Sequence, residues 1–146
     1  MPNFLKELII HDYTSILDGV RVINNGSIQL ALVLDKNDRL IGTITDGDVR
    51  RGLLGNISLQ SPVSKIMVKN PITASINLSE RQILNLMRLN NVRQIPVLDD
   101  SGKVVDVKTD EMLNENKIDN YVVIMAGGGG RRLKSLTYDT PKPLLH

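Results

Sequence analysis

Two stretches of the chain set apolar against polar residues in the same order. "QLALVL" (29–34) and "RLIGTIT" (39–45) are short apolar runs around a turn of Asp, Lys, Asn and Asp. "QIPVL" (94–98) and "KVVDVKT" (103–109) flank a second turn, Asp, Asp, Ser and Gly. Each pair predicts two strands joined by a tight turn. Ahead of each pair, apolar residues recur at helical spacing: Ile16, Val20 and Ile23 form one face, Ile83, Leu84 and Met87 the other. Both faces open on a helix-start signal, S-x-x-D at Ser15 and Asp18, S-x-x-Q at Ser79 and Gln82. A shift of 64 residues lays 32–49 over 96–113 without a gap, with Asp35 on Asp99, Thr45 on Thr109 and Asp46 on Asp110. The chain therefore reads as two copies of helix, strand, turn, strand, helix.

A unit of about 60 residues is marginal alone, so the copies are expected to pack on each other as a pseudo-symmetric α/β (α+β) pair. The turn-forming stretch "GNISLQSP" (55–62) marks the join. Beyond the pair, "YVVIMA" (121–126) is a continuous apolar run of the kind that forms a buried parallel strand, and it feeds into four glycines. The expected organisation is a first repeat over 1–58, a second over 59–117, and the start of a further, incomplete Rossmann-like domain over 118–146.

Composition narrows the function. Aromatics are 3% of 146 residues and tryptophan is absent, which gives little support to a base-stacking surface, so no nucleic-acid partner is expected. There is no cysteine, and His11 and His146 stand apart, so no metal site is expected. No apolar run reaches about 18 residues and the N-terminus has no signal-peptide pattern, so neither a membrane nor export is expected, and the location reads as cytoplasmic. Charge is uneven: residues 1–120 hold 14 Lys+Arg and 15 Asp+Glu, net −1, against 4 and 1, net +3, in 121–146. The positive end suits a small anionic ligand.

The first candidate for chemistry is "GTITDGDVRRGLL" (42–54). The pattern predicts a strand ending at Thr45, a tight turn at Asp46 and Gly47, and a helix from near Asp48. Such a corner offers backbone N–H groups and the positive end of a helix dipole to phosphate, and Thr45 adds a hydroxyl. Asp48, read as an exposed turn carboxylate, would repel phosphate but suits a ribose diol. The structural alternative makes Asp46 or Asp48 an N-cap.

Within a tandem repeat of this layout, Gly42, Thr45 and Asp48 match G-x-x-[ST]-x-x-D, and residues 5–115 resemble the cystathionine β-synthase (CBS) domain pair, or Bateman module. The resemblance implies a regulatory adenine-nucleotide site for AMP or ATP, lined by Thr14, Gly19, Gly42, Thr45, Asp46 and Asp48. It also implies a homodimer through the helices, for which the face of Ile83, Leu84 and Met87 is expected to need cover from a second chain. The second copy has Leu78, Ile83, Asp106 and Met112 in place of Thr14, Gly19, Gly42 and Asp48, and keeps only Thr109. One occupied site per chain, in the first copy, is expected. Arg93 is either a phosphate contact across the cleft or a solvated or salt-bridged side chain.

The glycine loop fits neither a dinucleotide fingerprint nor a Walker A loop, because the required third glycine and Lys-Ser/Thr are missing. "AGGGGRRLKSLTYDTPKP" (126–143) instead resembles the opening of sugar-phosphate nucleotidyltransferases, A-G-G-x-G-x-R-L, then L-T, then P-K-P. The resemblance implies an NTP-phosphate loop of Gly127, Gly128, Gly130, Arg132 and Lys142, with Arg131 and Ser135 as departures. The remaining catalytic residues, including those for Mg, would then lie beyond His146, so this stretch is not expected to catalyse transfer. The functional expectation is a regulatory pair attached to an enzyme of nucleotide-sugar synthesis; the alternative is a ligand-free dimerisation scaffold.

Overall fold

In the computed structural model the described residues are 3–114, and the stretch assigned above to a nucleotidyltransferase lies outside them. Helices α2 and α4 begin where their sequence signals lie. The first repeat runs α1 (Asn3–Lys6), β1 (Ile9–His11), α2 (Ile16–Asn25), β2 (Leu30–Leu34), β3 (Leu40–Thr45) and α3 (Asp46–Leu54). After a 3-10 turn at Val63–Lys65 and a short β4 (Val68–Lys69), the second runs β5 (Ala74–Ser75), α4 (Glu80–Asn90), β6 (Gln94–Leu98), β7 (Val104–Thr109) and α5 (Asp110–Asn114). The Ser15 hydroxyl accepts from Asp18 N at 3.1 Å, and Ser79 does the same for Gln82 N at 3.4 Å. These are the N-caps read from the sequence.

The 64-residue repeat is carried down to strand register. Two sheets form, β1-β2-β3-β4 and β5-β6-β7. Ile10 pairs with Val33 as Ala74 pairs with Val97, in parallel, and Leu30 faces Thr45 as Gln94 faces Thr109, antiparallel. Both hairpins are irregular at the same place, Val33/Leu34 and Val97/Leu98. Both turns are closed by an aspartate: Asp35 Oδ1 accepts from Asn37 N and Arg39 N, and Asp99 Oδ1 from Ser101 N and Lys103 N. The left-handed residue of each turn is equivalent, Asp38 at φ 60 and Gly102 at φ 83. The turns then meet: Arg39 bridges to Lys103, and Leu40 N donates to Gly102 O at 3.2 Å.

Strand β2 is buried along its whole length. Leu30, Leu32 and Leu34 join Val104 and Val107 of the second repeat in one core, while Ala31 and Val33 on the opposite face join Ile16, Ile23, Ile44 and Val49. Burial on both faces accounts for its unbroken apolar sequence, and each buried leucine contributes about 1.5–3 kcal/mol relative to exposure. The second repeat has its own cluster of Ala74, Ile83, Met87, Ile95, Val97 and Leu113. Ile83 and Met87 are therefore covered by their own repeat, which corrects the expectation that they need a second chain. Among the described residues, the large apolar side chains left exposed on helices are Leu53, Leu54, Leu89 and Met112.

Candidate functional site

The corner between β3 and α3 is sharper than the sequence suggested. There is no separate turn at Asp46 and Gly47: the helix begins at Asp46, Thr45 is its N-cap, and Asp48 is its third residue, closing a capping box. Asp48 Oδ2 accepts from Thr45 N at 2.8 Å and from Thr45 Oγ1 at 2.7 Å. Its Oδ1 accepts from Arg51 Nη2 at 2.6 Å. Asp48 is only 5% exposed, so it is not the exposed carboxylate expected from its place in the sequence. A buried carboxylate is stable here because three donors satisfy it.

This corner forms one wall of a cleft of about 920 Å³ between the repeats. Thr43, Thr45, Asp46, Gly47, Asp48 and Arg51 come from the first repeat. The facing wall is the end of α4 with Met87 and Arg88, the loop with Arg93, and Pro96 on β6; the crossover residues Asn70, Pro71 and Ile72 also line it. Three residues on the rim, Gln29, Asn70 and Asn91, have left-handed backbones with φ of 53, 55 and 52. Asn91 adopts this conformation as the C-cap of α4, and Asp38 and Asn56 adopt it away from the cleft. Among the described residues, the side chains of Arg88 and Arg93 make no hydrogen bond or ion pair, so the cleft holds two uncommitted guanidinium groups opposite the start of α3. No group of three His, Cys, Asp or Glu side chains among the described residues is placed to hold a metal.

Of the residues singled out in the sequence as candidate contacts, Thr45, Asp46, Asp48 and Arg93 line the cleft, and Gly42, Thr14 and Gly19 do not. Gly42 is a packing glycine: a Cβ there would stand 2.9 Å from Met67 Sδ and 3.1 Å from the Val68 carbonyl oxygen, because β4 lies against β3. Thr14 holds the turn into α2, its Oγ1 accepting from His11 N at 3.1 Å and its carbonyl from Val63 N at 2.8 Å. Gly19 packs on the same Val63, with a Cβ position 3.2 Å from Val63 Cγ1. Arg51, Arg88 and the crossover at 70–72 were not singled out. Arg51 was readable, since it lies one helical turn beyond Asp48; the others reach the cleft only through tertiary packing.

The CBS domain model matches residues 5–55 and 63–107. The chain belongs to the CBS domain family, as a tandem pair. Its relatives include protein RP505 of Rickettsia prowazekii, 38% identical over 93 residues, covering 64% of this chain and 29% of that protein. The arabinose 5-phosphate isomerase GutQ of Salmonella typhi is 32% identical over 91 residues, covering 62% of this chain and 28% of that enzyme. The chain thus spans less than a third of the length of these two relatives. Among solved structures, the CBS domain pair of protein MJ0100 in complex with 5'-methylthioadenosine and S-adenosyl-L-methionine superposes with a TM-score of 0.67 at 26% identity, covering 74% of this chain and 85% of that one. The mixed α/β pair of small sheets is the tandem CBS architecture. No helix among the described residues is long and apolar enough to cross a membrane.

Proposed function

We propose that this CBS pair is a regulatory module whose inter-repeat cleft binds one adenine nucleotide, AMP or ATP, per chain. The observation that carries the reading is the meeting in one cleft of the Thr45–Asp48 corner with Arg88 and Arg93 of the opposite repeat. Asp48 suits the ribose hydroxyls, and Thr45, the first turn of α3 and the arginines suit phosphate. The adenosine part follows from the likeness to the MJ0100 pair, whose two ligands share that moiety. Thr14, Gly19 and Gly42 then act as supports of the corner and its strands rather than as ligand contacts.

On the same reading, repeats over 1–58 and 59–117 lead into a nucleotidyltransferase that begins in 118–146. The glycine loop of Gly127, Gly128 and Gly130 with Arg132 and Lys142 supports this, and GutQ shows a CBS relative that acts on a sugar phosphate. The pair is proposed to form a cytoplasmic homodimer through its helices, using exposed side chains such as Leu54 and Leu89, 79% and 84% exposed. A ligand-free scaffold is the competing reading, favoured by the engagement of both Asp48 oxygens within its own helix turn. Calorimetric titration with AMP, ATP, GMP and S-adenosylmethionine separates the two. Saturable binding of an adenine nucleotide is expected; no binding of any of the four favours the scaffold. For the enzyme, pyrophosphate release from a nucleoside triphosphate and a sugar 1-phosphate by the natural protein that contains this chain is expected, and its absence overturns that part.

A further inference from the structure

Asp48 has two kinds of partner. The Thr45 bonds belong to the helix start and recur wherever a capping box forms. The Arg51 bond joins a carboxylate that is 5% exposed to a guanidinium side chain that is 68% exposed, and both residues line the cleft. The guanidinium therefore lies on the solvent side of Asp48, where a ligand entering the cleft would arrive. Gly47 leaves it room: a Cβ there would stand 3.3 Å from Arg51 Nη1 and 3.6 Å from Thr45 Oγ1. A pair with one partner mostly in water is held weakly and exchanges readily.

A carboxylate has about four lone-pair sites, and three of those on Asp48 are taken. A ribose diol needs two acceptor positions, so it competes with Arg51 for Oδ1. Once displaced, the guanidinium remains tethered one turn into α3, on the same wall as the Thr45 hydroxyl and facing Arg88 and Arg93. We propose that Arg51 is the specificity-determining residue of the cleft: it yields Asp48 to the diol of a ligand and takes that ligand's phosphate in exchange. An uncharged nucleoside must break the Arg51–Asp48 pair and offers the guanidinium nothing. A nucleoside phosphate replaces one anionic partner with another. The inference rests on the nucleotide reading given above and adds to it the basis for choosing phosphorylated ligands.

The test is calorimetric titration of the 146-residue chain and its Arg51→Gln and Arg51→Lys variants with adenosine, AMP and ATP. Arg51→Gln is expected to bind adenosine about threefold more tightly and AMP about tenfold more weakly, so that the preference for AMP over adenosine falls about thirtyfold. Arg51→Lys, which keeps the charge, is expected to hold the preference within about threefold of wild type. A variant defective only in structure would weaken both ligands alike, and an unchanged preference in Arg51→Gln, with wild-type AMP binding intact, overturns the role of Arg51 alone. Failure of wild type to bind any of the three overturns the nucleotide reading and this inference with it.

Discussion

The β3–α3 corner of the first repeat and the β7–α5 corner of the second share a backbone register but not their chemistry. In both, a threonine ends the strand and the helix starts at the next residue. Thr45 donates to a buried aspartate three residues on, whereas Thr109 Oγ1 accepts from Met112 N at 3.2 Å and the third residue of that helix is Met112 itself, although Asp110 and Glu111 open it. Met112 is 47% exposed, so the position that is a satisfied carboxylate in one corner is a loose apolar side chain in the other. The strands differ as well. Gly42 has β4 against it and no space for a side chain, while its counterpart Asp106 carries one that pairs with Lys108 at 3.0 Å. A repeated fold thus conserves geometry cheaply, and function enters where one copy adds a neighbour or a charge.

The two corners differ most in stability at Asp48 and Met112. Asp48→Ala removes the acceptor for both Thr45 groups and is expected to cost about 2–3 kcal/mol of stability, with the Arg51 pair adding little because of its exposure. Met112→Ala is expected to cost less than about 1 kcal/mol. Urea unfolding of both variants checks this; equal losses would mean that the capping box does not stabilise the corner. Next comes Gly42→Ala, expected to cost about 1–2 kcal/mol because the Val68 carbonyl cannot retreat without disturbing the β3–β4 pairing. Asp106→Ala in the equivalent position is expected to be nearly neutral, and thermal melts of the two side by side decide it.

The smallest effect sharpens the comparison where the repeats are alike. The Arg39 N–H, with Asn37, holds the Asp35 carboxyl below the usual carboxylate range, and the Ser101 hydroxyl with the Lys103 N–H does the same for Asp99. A depressed folded pKa stabilises the fold above the ordinary carboxylate value, about 3.9, and the contribution is lost as pH falls through the folded pKa. Asp35→Asn and Asp99→Asn are each expected to flatten the acid limb of the melting temperature against pH, and by similar amounts. A change in only one of them would show that the two turns are not equivalent in solution.

Much of this fold was legible because its signals are local. Four strands had apolar runs bounded by Asp-rich turns, and two helices had Ser caps and apolar faces. Strands β1, β4 and β5 were not, since two or three residues are too few to show an alternation. At the corner, T-x-x-D picks out Thr45 and Asp48, which line the cleft, yet it is also a capping pattern, and the helix starting at Asp46 instead of near Asp48 reflects that second meaning. The burial of Asp48 depends on how β3 and α3 pack, and the cleft on side chains from the other repeat, so neither left a trace in the local sequence. Ile83 and Met87 looked unpartnered because their cover, Ile95, Val97 and Leu113, lies across the second hairpin.

One cleft per chain is proposed as a nucleotide site that depends on the first corner. Isothermal titration of AMP into wild type, Asp48→Asn and Met112→Ala tests it directly. One AMP per chain is expected in wild type and Met112→Ala alike, with affinity lowered at least about tenfold in Asp48→Asn. Two AMP per chain in wild type, or equal losses in the two variants, would contradict it.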